Sequence, residues 1–581
     1  MKDKTMTTPA IELNNVSYRY PRSKKNSISN LTFKVEPGEV VAIMGENGAG
    51  KSTLCQIFNG IIPHSMNGIL KGEVKIHGID TISSDIAHLA TNVAIVLEDP
   101  ESQLFTTSVL SEVAFGPENL CLPVDEIRER IKWALEVVRL TGYEERLPTA
   151  LSGGQKQRLA IAAGIAMRPS ILVLDEATSQ LDPVGVVEVL NVVKELNEKY
   201  GITIVFATDS SEEVARIADR VIVLDKGRMV ATGTPREIFS NIELFDKYMI
   251  RSPQVSQLAT RMIKANITLP KFPISIDEGK KVMVEVLADR TKDVRKTTPK
   301  VEPSSSFAET VIEVKNLDFV YQPLNVHAVK DVSFDIHKGE FVALIGQNGS
   351  GKTTILKNLL GLLKPTTGSV MIAGMDTRNS AVADLARHVG FVLQNPDQQL
   401  FAETVEEEIS YGPRNLKLDA ATIKERVQRS LEVVGLEDKR QEFPPALSKG
   451  DRAKVVIASA LALDPEVMIL DEPTTGQDYR GCHQIMQIAD RLHNEGRTVV
   501  FVTHYMALVA EYARRVIVLT GGQVLLDGPT KSVFEQPDVV RKACIIPPQI
   551  TELGRALPKD LGLPATPLSV AEMAEAVLAR F

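Results

Sequence analysis

The chain has 581 residues, of which 44% are hydrophobic and 24% charged, with 66 lysines and arginines against 74 aspartates and glutamates. This length predicts two to four domains, and the composition is that of a globular protein and excludes a mostly disordered or fibrous chain. The net charge of −8 argues against a bulk polyanion such as ribosomal RNA or DNA as the partner, although a local basic patch stays open.

Cysteine usage and hydropathy restrict the compartment. Four scattered cysteines without a Cys-x-x-Cys pair indicate a reducing environment, with neither a disulfide framework nor structural zinc. The longest apolar stretches, residues 159–167 and 455–463, stop at nine residues, whereas a spanning helix needs about 20. The N-terminus also lacks the apolar segment of a secretory signal. We therefore expect a soluble protein, or one that reaches a membrane only through a partner.

The chain is a tandem repeat with a very long period. EVVAIMGENGAGKST recurs as EFVALIGQNGSGKTT, so that Gly45 and Gly346 lie 301 residues apart. After a longer loop in the first copy, Asp175 and Asp471 are 296 apart. A register held over some 230 residues predicts two complete copies of one domain rather than a solenoid of small units.

Four segments follow from the repeat in chain order. The first domain is predicted at residues 10–250 and the second at 310–544. The linker between them, 251–309, ends as RKTTPKVEPSSSF, which is polar and rich in proline and serine and predicts a flexible tether. Residues 545–581 form a C-terminal tail with a helix-like end, for which a simple capping helix is the favoured interpretation.

Short apolar runs alternate with helical stretches inside each copy. Examples are residues 40–44, 171–174 and 202–206 in the first copy. Continuous apolar strands separated by helices predict an α/β fold whose largely parallel sheet is covered on both faces.

Both copies contain G-x-x-x-x-G-K-[ST] between an apolar strand and a helix. In that context the glycines let backbone amides surround phosphate oxygens, and the helix N-terminus adds positive potential. Lys51 and Lys352 are predicted to meet the β- and γ-phosphates, while the hydroxyls of Ser52 and Thr353 bind Mg²⁺. An incidental glycine-rich turn is a negligible alternative because the motif occurs twice. The predicted ATP-binding residues here are Gly45, Glu46, Asn47, Gly48, Ala49, Gly50, Lys51, Ser52 and Thr53, and Gly346, Gln347, Asn348, Gly349, Ser350, Gly351, Lys352, Thr353 and Thr354.

Further along each copy, ILVLDEAT and VMILDEPT are apolar strands that end in two acids. The first acid, Asp175 or Asp471, is predicted to lie in the Mg²⁺ shell. The second, Glu176 or Glu472, can orient or deprotonate the attacking water.

LSGGQKQR, 24 residues before Asp175, resembles the signature motif of ABC-type ATPases. Tyr20 and Tyr321 match the aromatic that stacks on adenine in that family, Gln394 matches its Q-loop glutamine, and His504 its switch histidine. The resemblance covers about nine tenths of the chain. It implies tandem P-loop NTPase domains of ABC type, each with a mostly parallel sheet core, an antiparallel β subdomain and a helical signature subdomain.

ATP and Mg²⁺ are the cofactors that the resemblance implies, together with further site residues. The signature residues expected to contact ATP are Ser152, Gly153, Gly154, Gln155 and Ser448. The catalytic residues expected are Glu472, His504, Gln394 and Glu176, and the metal-binding residues are Ser52, Asp175, Thr353, Gln394 and Asp471.

QNPDQQLF with YGPRNL, and EDPESQLF with FGPENL, resemble the energy-coupling-factor branch of that family. Those ATPases drive uptake of vitamins or of cobalt and nickel ions with an integral membrane coupling subunit and a substrate-binding membrane subunit. The expected function is therefore the ATP-hydrolysing subunit of an importer, peripheral on the cytoplasmic face of the cell membrane, which binds partners near Gln394 and Glu98.

Two other functions are compatible with tandem ATPase domains. A twin-cassette ATPase acting on ribosomes or nucleic acid would favour a basic surface, a long charged helical linker or clustered cysteines, so no nucleic acid partner is expected. An exporter motor also stays open, although the QNPDQQLF and FGPENL motifs favour uptake.

The two copies depart from the family pattern unequally. Glu98 stands at the first Q-loop glutamine, Asp209 at the first switch histidine, and Lys449 and Asp451 alter the second signature to LSKGD. The resemblance implies an intrachain pseudo-dimer in which each nucleotide lies between one copy's phosphate loop and the other copy's signature. All the departures then fall on one site, which is predicted to hold ATP and hydrolyse it slowly, while the other is intact. The alternative is tolerated drift in two working sites.

Overall fold

The structure is a computed structural model that describes residues 8–248, 250–288, 309–323 and 325–581. The chain divides into two units, Met1–Val286 and Leu287–Phe581. Residues 8–288 are called the first half below, and residues 309–581 the second half. The stretch predicted as a tether, RKTTPKVEPSSSF, lies outside the described residues.

The first half alternates strands and helices as predicted. Its strands are β1 (Ile11–Arg19), β2 (Ile28–Val35), β3 (Val40–Met44), β4 (Ile69–Ile76), β5 (Ile79–Asp80), β6 (Val93–Val96), β7 (Ile171–Asp175), β8 (Thr203–Ala207), β9 (Arg220–Asp225) and β10 (Arg228–Gly233). Its helices are α1 (Lys51–Phe58), α2 (Ile61–His64), α3 (Ile86–Ala90), α4 (Val109–Asn119), α5 (Val124–Val137), α6 (Gly153–Ile165), α7 (Pro183–Tyr200), α8 (Ser211–Ile217), α9 (Pro235–Ser240), α10 (Ile242–Tyr248), α11 (Gln254–Lys264) and α12 (Ile276–Leu287).

The second half repeats this order. Its strands are β11 (Thr310–Tyr321), β12 (Val326–His337), β13 (Phe341–Gly346), β14 (Thr367–Ile372), β15 (Met375–Asp376), β16 (Val389–Val392), β17 (Val467–Asp471), β18 (Thr498–Val502), β19 (Arg515–Thr520) and β20 (Gln523–Pro529). Its helices are α13 (Lys352–Leu359), α14 (Val382–Leu385), α15 (Val405–Asn415), α16 (Ala420–Val434), α17 (Lys449–Leu461), α18 (Tyr479–Asn494), α19 (Met506–Tyr512), α20 (Thr530–Phe534), α21 (Pro537–Val540), α22 (Gln549–Ala556) and α23 (Val570–Leu578).

Each half contains two sheets. The larger has six strands, in the order β10-β9-β3-β8-β7-β6 in the first half and β16-β17-β18-β13-β19-β20 in the second, and only the β9–β10 and β19–β20 pairs are antiparallel. The smaller sheets, β2-β1-β4-β5 and β12-β11-β14-β15, are antiparallel. Helices α4, α5 and α6, and likewise α15, α16 and α17, pack on one another. The predicted α/β fold is confirmed.

The sequence of β3 shows why the large sheet is covered on both faces. Val40, Ala42 and Met44 belong to one apolar core, which includes helices α5 to α7, and Val41 and Ile43 belong to another, which includes α1 and the antiparallel sheet. All five side chains are buried, whereas β2 alternates buried and exposed positions because only one face of its sheet is covered. The phosphate loop leaves the end of β3, so the buried strand fixes its position.

Two helices lie within the segment predicted as linker. Helices α11 and α12 form a hairpin in which the buried Ser256 Oγ donates to the Pro273 carbonyl at 2.7 Å. In the second half, α22 and α23 form the same hairpin, and Thr551 Oγ1 donates to the Pro567 carbonyl at 2.5 Å. The folded part of the first half therefore extends beyond residue 250, where the predicted domain ends.

Candidate functional site

The phosphate loops have the backbone that their glycines predict. Gly50 and Gly351 precede α1 and α13 with φ values of 103° and 101°. A Cβ on Gly50 would lie 2.8 Å from the Ser27 carbonyl oxygen, and one on Gly351 would lie 2.7 Å from that of Ala328. Only glycine fits there, and the amides that open each helix stay directed at the loop, where they favour an anion.

The lysines of the two loops differ in their partners. Both are buried, and Nζ of Lys51 and Lys352 donates at 2.8 Å to the carbonyl of Gly45 and Gly346, respectively. Lys51 also forms an ion pair with Glu176, at 3.0 Å from Nζ to Oε1. The predicted catalytic acid of the first half is therefore held by the phosphate-loop lysine.

In the second half the corresponding acid is held by the other predicted catalytic residues. Glu472 Oε1 lies 2.8 Å from His504 Nε2, and Gln394 Nε2 donates to Glu472 Oε2 at 2.9 Å. Burial alone would raise the pKa of Glu472, but the hydrogen bond and charge of His504 outweigh it, and the pKa lies below its ordinary value. The structure thus brings together Gln394, Glu472 and His504.

Both acids stand on a strained backbone. Glu176 and Glu472 have a φ of 49°, although neither is glycine, and their amides donate to the Ala207 and Val502 carbonyls of the neighbouring strands at 3.0 Å. A left-handed conformation in such a residue costs on the order of 1 kcal/mol and is typical of functional sites. This backbone conformation occurs directly after the strand end, next to the phosphate loop.

The predicted magnesium ligands have the required chemistry. Ser52 Oγ donates to Asp175 Oδ1 at 3.0 Å, which joins a hydroxyl and a carboxylate at the loop. Burial raises the pKa of Asp175 and of Asp471 to about 6, a cost that a divalent cation would offset. The described residues contain no cluster of three or more His, Cys, Asp or Glu side chains suited to a metal, so a magnesium ion would draw its remaining ligands from phosphate and water.

The predicted adenine-stacking tyrosines are anchored beside their loops. The hydroxyls of Tyr20 and Tyr321 lie 3.0 and 3.2 Å from Oγ1 of Thr53 and Thr354. Tyr321 is 37% exposed. These contacts hold both hydroxyls beside their loops, and the exposed surface of Tyr321 suits the stacking of a planar base.

The two signatures differ in how their serine is bonded. Ser152 caps α6 in a capping box with Gln155, in which Ser152 Oγ accepts a hydrogen bond from the Gln155 amide. Ser448 caps α17, but its hydroxyl donates to Asp451 Oδ2 at 2.8 Å. Lys439 Nζ lies 2.6 Å from the same oxygen and, against the effect of burial, lowers the pKa of Asp451. The second signature serine thus has a carboxylate acceptor of its own.

Sequence reasoning missed a buried acid in the first half. Glu213 of α8 accepts hydrogen bonds from Thr178 Oγ1 at 3.0 and 2.9 Å, and burial raises its pKa to about 7. It lies near Asp209, whose pKa burial and the nearby Glu176 raise to about 6. The corresponding residue of the second half is the buried Leu508. The acid in one copy opposite a leucine in the other could have indicated a buried acid at this position.

Comparison with known proteins identifies a matching family and several relatives of this chain. A family model described as ABC transporter matches residues 28–179 and 329–475. A protein of Caldanaerobacter subterraneus, provisionally named an ABC transporter ATP-binding protein, is 39% identical over 574 residues, which is 98% of this chain and 99% of the relative. A similarly named Vibrio vulnificus protein is 34% identical over 550 residues, 94% of each chain. A solved structure of CbiO1 from Clostridium perfringens, described as part of the ABC transporter complex CbiONQ, is 35% identical and covers 40% of this chain and 94% of its own, with a TM-score of 0.38.

Proposed function

Because the chain belongs to the ABC transporter family and carries two of its ATP-hydrolysing domains in tandem, we propose that it is the ATPase subunit of an importer of the energy-coupling-factor type. In this proposal the chain lies at the cytoplasmic face of the cell membrane, bound to an integral membrane coupling subunit and a substrate-binding membrane subunit. Among the described residues, no helix is both long and apolar enough to cross a membrane. The binding of ATP with Mg²⁺ at both loops is part of the proposal.

The contrast between the two catalytic acids carries the proposal of one competent site. Glu472 is oriented by Gln394 and His504, whereas Glu176 is bound to Lys51. In the competent site, Glu472 orients the attacking water and accepts its proton, while His504 donates a hydrogen bond as charge develops. A magnesium ion held by Thr353 and Asp471 would supply the neutralisation of phosphate charge.

The signatures complete the two sites in the proposed arrangement. The competent site takes its phosphate loop from the second half and Ser152 with Gln155 from the first half. The degenerate site takes Lys51 from the first half and LSKGD from the second. Loss of one donor to a phosphoryl transition state typically costs 10²–10³ in rate, so the degenerate site should contribute little turnover.

Paired substitutions test this division. Glu472→Gln should abolish ATP hydrolysis by the full chain because it removes the proton acceptor of the competent site. Glu176→Gln should leave most of the hydrolysis, since the first half turns over slowly. Phosphate release from the two variants measures this directly. Comparable losses from both would favour the alternative, in which two working sites tolerate the departures.

The energy-coupling-factor branch is supported by exposed aromatic pairs. The motifs QQLF and YGPRNL contribute Phe401 and Tyr411, which are 63% and 51% exposed and lie edge to face with ring centroids 4.7 Å apart. ESQLF and FGPENL contribute Phe105 and Phe115, which contact each other in the same way at 4.8 Å. Exposed aromatic pairs of this kind suit an apolar helix of a membrane partner. We place the contact with the coupling subunit on these pairs.

Removing one pair tests the partner. The double variant Phe401→Ala with Tyr411→Ala should lose co-purification with a small integral membrane subunit while it keeps ATP binding. Leu362→Ala, which removes a 54% exposed apolar side chain elsewhere, is the matched control. Recovery of ribosomes or nucleic acid with the wild-type chain, and of no membrane subunit, would contradict the importer proposal.

A further inference from the structure

In the second half, the segment that follows the cassette passes beside the phosphate loop. Residues 249–252 and 544–547 occupy the same place in the repeat, at an unbroken offset of 295. Ile250 and Ile545 are both buried in the core of their own half. In the second half, Cys544 Sγ lies 3.0 Å from Oε1 of the phosphate-loop residue Gln347. In the first half, residues 250–252 share this register, and Ile250 is buried as Ile545 is.

Arg251 occupies this segment in the first half. It is half-buried between Ile250 and Ser252, which are 8% and 6% exposed, so its side chain leaves the core where theirs enter it. Its positive charge acts on the carboxylate of Asp209. Burial and the nearby Glu176 raise the pKa of Asp209, whereas Lys51 and Arg251 lower it. Asp209 therefore experiences the charges of one acid and two cations, and two of these groups, Lys51 and Glu176, form an ion pair at 3.0 Å.

The second half has the opposite pair of residues. His504 stands at the position of Asp209, and Ile546, which is 40% exposed, stands at the position of Arg251. The half with Asp209 in place of the histidine therefore has an arginine on the neighbouring segment. The half with His504 has an apolar side chain there. Asp209 alone would repel a triphosphate at this point, and the guanidinium of Arg251 neutralises that charge.

We propose that Arg251 is a nucleotide-binding residue of the first site and contacts the terminal phosphate of the nucleoside triphosphate that Lys51 holds. Its planar set of donors suits phosphate oxygens. This inference rests on the proposed function in one respect, namely that the first site retains ATP. Arg251 holds the nucleotide but leaves Glu176 bound to Lys51, and the first site therefore keeps its ligand without rapid turnover.

Equilibrium dialysis of the full chain with the non-hydrolysable β,γ-imido analogue of ATP, and separately with ADP, tests the inference. The wild type should bind two analogue molecules per chain. Arg251→Ala should weaken one of the two by about 10- to 100-fold, the effect of one hydrogen-bonded charge, and leave ADP affinity unchanged because ADP lacks the terminal phosphate. Ile546→Ala is the matched control and should change neither affinity.

Two further variants separate binding from folding. Arg251→Lys should keep part of the affinity, and adding Asp209→His to Arg251→Ala should restore it by replacing the acid with the hydrogen-bond donor of the second half. Equal losses of analogue and ADP, or unchanged binding of both in Arg251→Ala, would overturn the inference. Because binding is read without hydrolysis, this result stands apart from the Glu472→Gln assay, whose failure would contradict only the division of turnover between the sites.

Discussion

At the scale of single residues, the neighbours of an acid decide what it does. Glu176 and Glu472 share a strand end, a φ of 49° and a backbone hydrogen bond, yet one is bound to a lysine and the other to a glutamine and a histidine. Because the acids and their backbone are alike and their partners differ, we attribute the difference between the halves to these partners rather than to the acids themselves.

Gln394→Glu should give the second half the Q-loop residue of the first. The change removes the donor that lies 2.9 Å from Glu472 and sets a second carboxylate against it. We expect steady-state phosphate release to fall about 100-fold, the usual cost of one lost donor. The reverse change, Glu98→Gln, should alter release less than twofold. A Gln394→Glu variant that retains half of the activity would contradict the role of this contact.

Glu213→Gln should stabilise the first half in a pH-dependent way. The folded-state pKa of about 7 lies above that of an unfolded glutamate, so the stabilising effect of Glu213 is complete below about pH 4.5 and is lost as pH rises through 7. We expect the variant to be more stable than the wild type by about 3 kcal/mol at pH 8 and by about 1 kcal/mol at pH 5.

The single tryptophan of the chain, Trp133, lies in α5 of the first half and contacts Tyr200, so its fluorescence during urea unfolding reports this half. Glu112→Gln is the control, because Glu112 accepts three hydrogen bonds from Phe105 and Thr106 and its loss should destabilise the half at both pH values. An equal gain for Glu213→Gln at pH 5 and pH 8 would contradict the assigned pKa.

At the scale of elements, the strands and turns that depend on neighbouring residues can be predicted from the sequence, whereas contacts between distant side chains cannot. The apolar runs of β3 and β7 and the loop glycines predict their strands and turns because neighbouring residues alone dictate that backbone. The ion pair of Glu176 with Lys51 joins residues 125 apart through a choice of side-chain rotamer, which no local pattern expresses. The helix at the end of the tail was predicted, but the hairpin within the segment 251–309 was not, although Pro253 and Pro548 continue the repeat there at an offset of 295.

Thr551→Val should loosen the second hairpin without affecting ATP hydrolysis. The fully buried hydroxyl donates to the Pro567 carbonyl, and removing it leaves that acceptor without this donor. We expect a loss of about 1–2 kcal/mol, measured as faster amide hydrogen exchange in α22 and α23. Ser256→Ala should do the same in α11 and α12 only. Unchanged exchange in both variants would show that these hydrogen bonds do not hold the hairpins.

At the scale of the whole molecule, the proposed pairing of the halves predicts that ATP hydrolysis at each phosphate loop depends on the signature of the other half. Gly153→Lys with Gln155→Asp damages the signature of the first half, yet it should lower hydrolysis by the second-half loop about 100-fold, since the proposed competent site uses that signature. Lys449→Gly with Asp451→Gln should change phosphate release little, because Glu98 and Asp209 still limit the other site. If the two double variants behave in the reverse order, each half uses its own signature.

The matching hairpins also record the history of the chain. Both halves end in the same pair of helices, tied by the same side-chain-to-proline hydrogen bond, and both place a basic residue against the hairpin acid, Arg236 with Glu278 and Lys531 with Glu572. The stretch of DNA that underwent duplication therefore encoded the hairpin together with the cassette.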